Sequence, residues 1–285
     1  MKKALIIINI SKNESMDLAQ DIKKYLESKS IEADYINFDG FCDNTSFELY
    51  DFIVSLGGDG TVLYAARNAV ALGIPVFPVN LGQFGFIASI QPSEWKDVLD
   101  NFLNGKEAYE ERSMIKVEVK REGKIIYSSL GLNDAVISSS IGASTVSLKV
   151  DYDSSLLCKL KADGIIISTS TGSTAYSVSA GGPIVDTHLD AFIMTPMNSF
   201  SLSSRPIVLS TEGVIKVEIE PCRTKNISIS VDGQEHEKLL VGDSISISKY
   251  EKNIKLISCT REKFYNALRS KLNWSGGPHA WGFNN

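Results

Sequence analysis

The sequence is short of nearly everything that marks a secreted, metal-binding or nucleic-acid-binding protein. Only four cysteines occur in 285 residues, Cys42, Cys158, Cys222 and Cys259, far apart and with no C-x-x-C pair. This spacing speaks against a disulfide framework or a zinc site and fits reduced thiols in a cytoplasmic protein. The three histidines, His188, His236 and His279, are scattered without metal-ligand spacing and read as exposed or loop residues. Positive charge is outnumbered, 29 Lys and Arg against 34 Asp and Glu. The formal net charge of −5 argues against a nucleic-acid or anionic-membrane surface. No apolar run nears the ~18–20 residues needed to span a bilayer. The opening "MKKALIIINIS" superficially resembles a signal peptide, but Asn9 interrupts its apolar run and no small-residue cleavage site follows. A first buried strand is the expectation there. No repeat with a period of about 20–50 residues is visible.

What is present is a globular composition, 43% hydrophobic, enough for one large domain or two ordinary ones. Up to residue 110, strand-like and helix-like stretches alternate. "ALIIIN", "DFIVSL" and "IPVFPVN" read as buried strands. Residues 14–29 put Leu18, Ile22, Tyr25 and Leu26 on one helical face, and Leu63, Ala66, Ala69 and Val70 follow helical spacing up to a stop at Gly73. "SEWKDVLDNFLNG" reads as a helix opened by Ser93 and closed by Gly105. This pattern predicts an α/β domain with an open, Rossmann-like sheet over residues 1–110. From 111 to 258, period-two stretches such as "MIKVEVKREGKIIYSS", "STVSLKVDYD" and "NISISVDG" predict a β-rich domain. Residues 259–285 return to helical spacing, with Phe264, Leu268 and Leu272 on one face, and end in a loose tail. That helix is expected to pack back on something apolar.

One acidic residue, Asp59, stands among the glycines of "GGDGT", between a strand and a helix. Strand, glycine turn and helix is the geometry in which backbone N–H groups approach a phosphate, and glycine supplies positive φ and leaves no Cβ in the way. Neither G-x-G-x-x-G nor the lysine-bearing Walker pattern is met. The simplest account is that Asp59 or Thr61 caps the helix, a role worth ~1 kcal/mol. A cap does not require three glycines. A carboxylate placed directly on a phosphate would repel it, which leaves two arrangements: Mg²⁺ between them, or the carboxylate turned to a second substrate's hydroxyl while the amides hold the phosphate. The second arrangement describes a kinase.

Residues 163–183, "DGIIISTSTGSTAYSVSAGGP", begin with a buried strand and then set an aromatic ring among hydroxyls, suited to stacking a base and bonding its edge; the alternative is a flexible polar loop. Asn133-Asp134, just before an apolar strand, is either an Asx turn or a pair able to hold the two hydroxyls of a ribose.

Together, "GGDGTVL", "NLGQFGFIA", "LNDAVIS", "ADGIIISTSTGSTAYSVSAGGP", "LSSRPIVL", "VDGQ" and "FYNALRSKLNW" resemble the NAD kinases, in order and along nearly the whole chain. The glycine–aspartate turn alone also resembles diacylglycerol kinases and phosphofructokinases. The resemblance implies phosphorylation of the adenosine 2′-hydroxyl of NAD by ATP or another phosphoryl donor, an α/β domain followed by a β-rich domain, and a C-terminal helix packing back on the first. It implies Asp59 as proton acceptor with Gly60 beside it at the substrate, and Gly57, Gly58, Gly60 and Thr61 as the phosphate turn. NAD contacts are implied for Phe86, Asn133, Asp134, Lys161, Asp163, Thr174, Ala175, Tyr176, Ser179 and Gln234. The chain departs from the family at Asp134, usually Glu; at Lys161, often Arg; and at Phe200, commonly His. Mg²⁺ is expected to arrive with the nucleotide, held mainly by phosphate oxygens and not by a protein metal site. The implied partners are NAD and ATP, without nucleic acid or membrane, in a homodimer or homotetramer. Two other readings share parts of the pattern: a lipid kinase of the diacylglycerol or sphingosine type, and a non-catalytic NAD(P) sensor.

Overall fold

The computed structural model describes residues 2–40, 46–82, 85–107, 109–139, 144–201, 203–272 and 274. Two compact units divide these residues, one within Met1–Glu111 and Ile254–Asn285, the other Arg112–Asn253.

The first unit is built on one sheet. Its strands are β1 (Lys3–Asn9), β2 (Glu32–Phe38), β3 (Phe52–Gly57), β4 (Val76–Asn80) and β5 (Tyr109–Arg112), with β18 (Ile254–Ile257) supplied from the far end of the chain. Their order is β2-β1-β3-β4-β18-β5, and β1–β2, β1–β3, β3–β4 and β4–β18 are parallel pairs. A parallel sheet covered on both faces needs apolar residues without alternation. That is why "ALIII" and "FIVSL" are buried throughout. Helix α1 (Ser15–Ser28) buries Ala19, Ile22 and Leu26, with Leu18 and Tyr25 packed beside them. Helix α2 (Asp59–Ala69) follows the glycine turn, and its trailing 3-10 turn stops at Gly73, whose φ of 69° is left-handed. Helix α3 (Trp95–Leu103) starts two residues later than expected. Ser93 does not open it; instead the Glu94 carboxylate accepts the Gln91 N–H. Strand order turns back between β1 and β3, and in such sheets ligands bind outside the carboxyl ends of the strands at that point.

The second unit is two six-stranded sheets whose described pairs are all antiparallel. One contains β6 (Ile115–Arg121), β7 (Lys124–Gly131), β9 (Val146–Tyr152), β10 (Ser155–Ala162), β14 (Ile215–Ile219) and β17 (Ser244–Lys249). The other contains β8 (Asp134–Ser139), β11 (Gly164–Thr169), β12 (Ala191–Met197), β13 (Ile207–Ser210), β15 (Ile227–Val231) and β16 (Glu235–Leu239). Alternate residues of the two sheets, such as Val117, Val146, Leu148, Ile137, Ile165 and Ile229, meet in one core between them. Side by side in the second sheet, β11 pairs with β8 and β8 with β15, so the start of β8 lies beside the ends of β11 and β15. Asp134, Thr169 and Asp232 are thereby delivered to one edge of that sheet.

The last helix, α5 (Arg261–Leu272), buries Phe264, Ala267 and Leu268 in the first unit. No helix among the described residues is long and apolar enough to cross a membrane. Cys158, Cys222 and Cys259 are free thiols, and Cys42 lies outside the described residues.

Candidate active site

Asp59 is the first residue of α2, but it does not cap the helix. Gly58 occupies the cap position without a side-chain bond, and the Asp59 carboxylate turns to the loop after β4. There it accepts the N–H groups of Phe86 at 3.0 Å, Ile87 at 3.2 Å and Ala88 at 2.8 Å. A carboxylate offers about four acceptor positions. With three filled by main chain, its plane and direction are set. Gly85 makes this possible: a Cβ at that position would collide with the carboxylate, 3.0 Å from Asp59 Cγ.

The glycines of the turn work by space and not by unusual backbone angles. Neither Gly57 nor Gly58 uses the positive φ that glycine permits. A Cβ on Gly57 would collide with the Thr61 hydroxyl, which accepts from Asn9 Nδ2 at 3.2 Å. A Cβ on Gly58 would meet nothing within 4 Å, so the helix start is open on that side. The Leu81 N–H donates to Gly57 O at 2.7 Å and keeps the ends of β3 and β4 abreast. The glycine turn, Asp59 and Phe86 are therefore one constellation in the first unit.

In the second unit, the Asp232 carboxylate accepts the N–H groups of Leu132 at 2.9 Å, Asn133 at 2.8 Å and Asp134 at 3.1 Å. Asp232 and Gly233 both have positive φ, 54° and 66°, the signature of a type I′ hairpin between β15 and β16. The "DG" dipeptide thus makes a turn and at the same time supports Asn133-Asp134. No Asx turn forms at that pair. Asn133 Oδ1 is buried without a hydrogen-bond partner among the described residues, which is a costly state unless a ligand donor completes it. Burial, and secondarily the Asp232 charge, push the Asp134 carboxyl up to about 7, while the Tyr176 backbone N–H works in the opposite direction.

The serine- and threonine-rich stretch is a built scaffold and not a flexible loop. Thr169 Oγ1 donates to Leu132 O at 2.6 Å and accepts from the Gly172 N–H at 3.0 Å. Ser170 donates to Leu189 O, Ser173 Oγ bonds Ser170 O at 2.7 Å, and Ser177 Oγ pairs with Thr195 Oγ1 at 2.9 Å. These hydroxyls make internal hydrogen bonds that hold the stretch in place. What faces outward is Tyr176, 46% exposed, and Ser179, at either end of the short helix α4 (Tyr176–Ser179), with Thr174 and Ala175 half-buried beside it. Gln234 closes the hairpin, its N–H donating to Val231 O.

Lys161 and Asp163 lie elsewhere. They precede β11, whereas Asp134 pairs with Ser168 near its end. At ~3.3 Å per residue that puts Asp163 roughly 15–20 Å from Asp134 along the strand, and Lys161 belongs to β10 in the other sheet. Asp163 accepts from Asn198 Nδ2 at 2.9 Å, and the Lys161 ammonium sits 5.2 Å from the Phe200 ring, itself 72% exposed. Two departures from the usual family residues are thus in contact. Both line a cavity of about 690 Å³ with Thr145, Cys222 and Arg223. His188 and His236 are exposed, and His279 lies outside the described residues.

Residues 38–107 match the model of the ATP-NAD kinase N-terminal domain, and residues 132–259 that of the ATP-NAD kinase C-terminal domain. The chain is 44% identical over 277 residues to an NAD kinase of Treponema denticola, covering 97% of this chain and 98% of that protein. The chain belongs to the NAD kinase family. An NAD kinase of Treponema pallidum is 42% identical, covering 96% of this chain and 90% of that protein. The NAD kinase fold is shared with yeast NADH kinase complexed with NADH, at a TM-score of 0.87 and 23% identity, covering 100% of this chain and 90% of that one. An NAD kinase from Archaeoglobus fulgidus in complex with ATP superposes with a TM-score of 0.75 at 26% identity, covering 93% and 96% respectively. Within the NAD kinase frame, Gly85 and Asp232 are the residues that sequence reading passes over. Both stand inside stretches, "NLGQFGFIA" and "VDGQ", that carry the resemblance.

Proposed function

We propose that this chain transfers a phosphoryl group from ATP to the adenosine 2′-hydroxyl of NAD, giving NADP. The observation that carries the reading is the Asp59 carboxylate, clamped by the Phe86, Ile87 and Ala88 amides next to a helix start that no side chain caps. The main-chain N–H groups of the turn hold donor phosphate, helped by the positive end of α2. Asp59 accepts the 2′-hydroxyl proton and aims the oxygen. Phosphoryl transfer passes through a loose transition state, so the proton leaves late and a carboxylate of modest basicity suffices. Positioning and charge stabilisation supply most of the acceleration.

For NAD we carry forward Gly60, Phe86, Asn133, Asp134, Lys161, Asp163, Thr174, Ala175, Tyr176, Ser179 and Gln234 as contacts. The buried Asn133 Oδ1 without a partner supports a ligand donor at that point. Mg²⁺ enters as part of the nucleotide substrate. Among the described residues no three His, Cys, Asp or Glu side chains converge to hold a resident ion, and no step is assigned to one. We infer a cytoplasmic homo-oligomer, supported by Ile125 and Ile126 on the edge strand β7 and Val208 on the edge strand β13, all exposed. Light scattering tests that assembly.

The activity test is NADP formation from ATP, Mg²⁺ and NAD, read through a glucose-6-phosphate dehydrogenase couple. The wild type is expected to turn over, and Asp59→Asn to lose most turnover while still binding NAD. Near-normal turnover by Asp59→Asn would remove the proton-acceptor role.

A further inference from the structure

The loop that clamps Asp59 is itself gripped by the other end of the chain. Cys259 Sγ–H donates to Ile87 O at 3.2 Å, and Ser89 Oγ donates to Ser258 O at 2.9 Å. The Phe86 ring lies 6.2 Å from the Phe264 ring, and the Lys271 ammonium 5.1 Å from Phe86. At the centre is Lys263. Its ammonium donates to Ser89 O at 3.1 Å, Glu94 Oε1 at 3.0 Å and Ser258 Oγ at 3.0 Å. An ammonium has three donors, and here each reaches a different segment: the Asp59 loop, the start of α3 and the end of β18. Ser258 holds a left-handed backbone, φ 59°, at the point where it meets Lys263.

We propose that Lys263 is a positioning residue for phosphoryl transfer. By fixing Ser89 it fixes the stretch whose Phe86, Ile87 and Ala88 amides orient the Asp59 carboxylate. The ion pair with Glu94 is partly exposed, at 26% and 40% of the two side chains, so it adds little stability by itself. What the ammonium contributes is geometry. Displacement of a reacting group by about 1 Å costs of the order of 100-fold in rate. The proposal rests on the reading of Asp59 as acceptor of the hydroxyl proton.

The test is Lys263→Met, which keeps the length of the side chain and removes its donors. We expect kcat to fall at least tenfold with KM for ATP and NAD within threefold, and hydrogen exchange at Phe86, Ile87 and Ala88 to quicken. Lys263→Arg, keeping charge and donors, should recover part of kcat. Unchanged kcat, a loss carried in KM, or unchanged exchange at those amides overturns the proposal. Should Lys263→Met fail to fold, Ser258→Ala removes one of the acceptors and must show the same pattern in smaller measure; wild-type kcat in that variant overturns the proposal too. A wild type that makes no NADP refutes the proposed function, while the exchange measurement still decides whether Lys263 holds the loop.

Discussion

Asp232 and Asn133, 99 positions apart in sequence, are joined by a 2.8 Å bond from the Asn133 N–H to the Asp232 carboxylate. The same carboxylate takes the neighbouring amides of Leu132 and Asp134, and all of these groups are buried. Asp232→Ala strands those donors away from water, at about 1–3 kcal/mol each when unpaired. We expect a stability loss of a few kcal/mol in urea unfolding together with a raised KM for NAD. Asp232→Asn, which retains one acceptor oxygen, should fall between. An alanine variant with wild-type stability would show that the carboxylate is dispensable.

Gly85 is set against the Asp59 carboxylate so closely that an added methyl cannot fit. Gly85→Ala is therefore expected to shift the carboxylate and lower kcat by about 100-fold. Steady-state kinetics beside a direct NAD binding measurement checks this, because binding should persist.

The Asp134 carboxyl, pushed up to about 7 by burial and by Asp232, makes stability depend on pH. Its ordinary value is 3.8, so between pH about 4 and about 7 the folded state holds a proton that the unfolded state has released. Stability must then fall as pH rises through that window and level off above it, by at most a few kcal/mol. In Asp134→Asn this contribution disappears, leaving the variant relatively more stable at pH 8 than at pH 5. Unfolding curves of both proteins across that range provide the comparison.

Gly172 packs against the main chain of Asn133, and a Cβ there would stand 2.5 Å from the Asn133 carbonyl carbon. Backbone cannot yield as a flexible side chain does. We expect Gly172→Ala to lower the melting temperature by several degrees and weaken NAD binding, with Asp59 and its loop untouched; calorimetry with a binding titration tests both.

How far these features can be read in advance follows from their range along the chain. The buried parallel strands and helices of the first unit announce themselves locally, by unbroken apolar runs and 3.6-residue spacing. Strand β18 does not, because "IKLI" is too short to have a period, and it joins the first sheet through pairing with β4. β2 escapes notice for a related reason: as an edge strand it buries only Ala33 and Phe38, too sparse a pattern to stand out. Asp59 draws notice because a charge among glycines is locally odd. Its partners, by contrast, are backbone amides, which every sequence supplies, so nothing in the residue types of 86–88 points to them. Asp232 is visible only as half of a turn. That its carboxylate reaches back to residues 132–134 is a property of β8 and β15 lying side by side.

The place of β18 between β4 and β5 has a consequence for how the chain is made. Residues 112–253 are contiguous and can collapse as soon as they emerge from the ribosome, since domains generally fold as units during synthesis. The N-terminal sheet, begun first, is completed last. Until Ile254–Ile257 arrive, β4 lacks its neighbour beside Val76, while Pro78 and Asn80 are already bonded to Ile90; the exposed part of that flank is the kind of surface that recruits other chains. A message cut short before codon 254 would thus leave a finished second unit tethered to a first one still waiting for its closing strand.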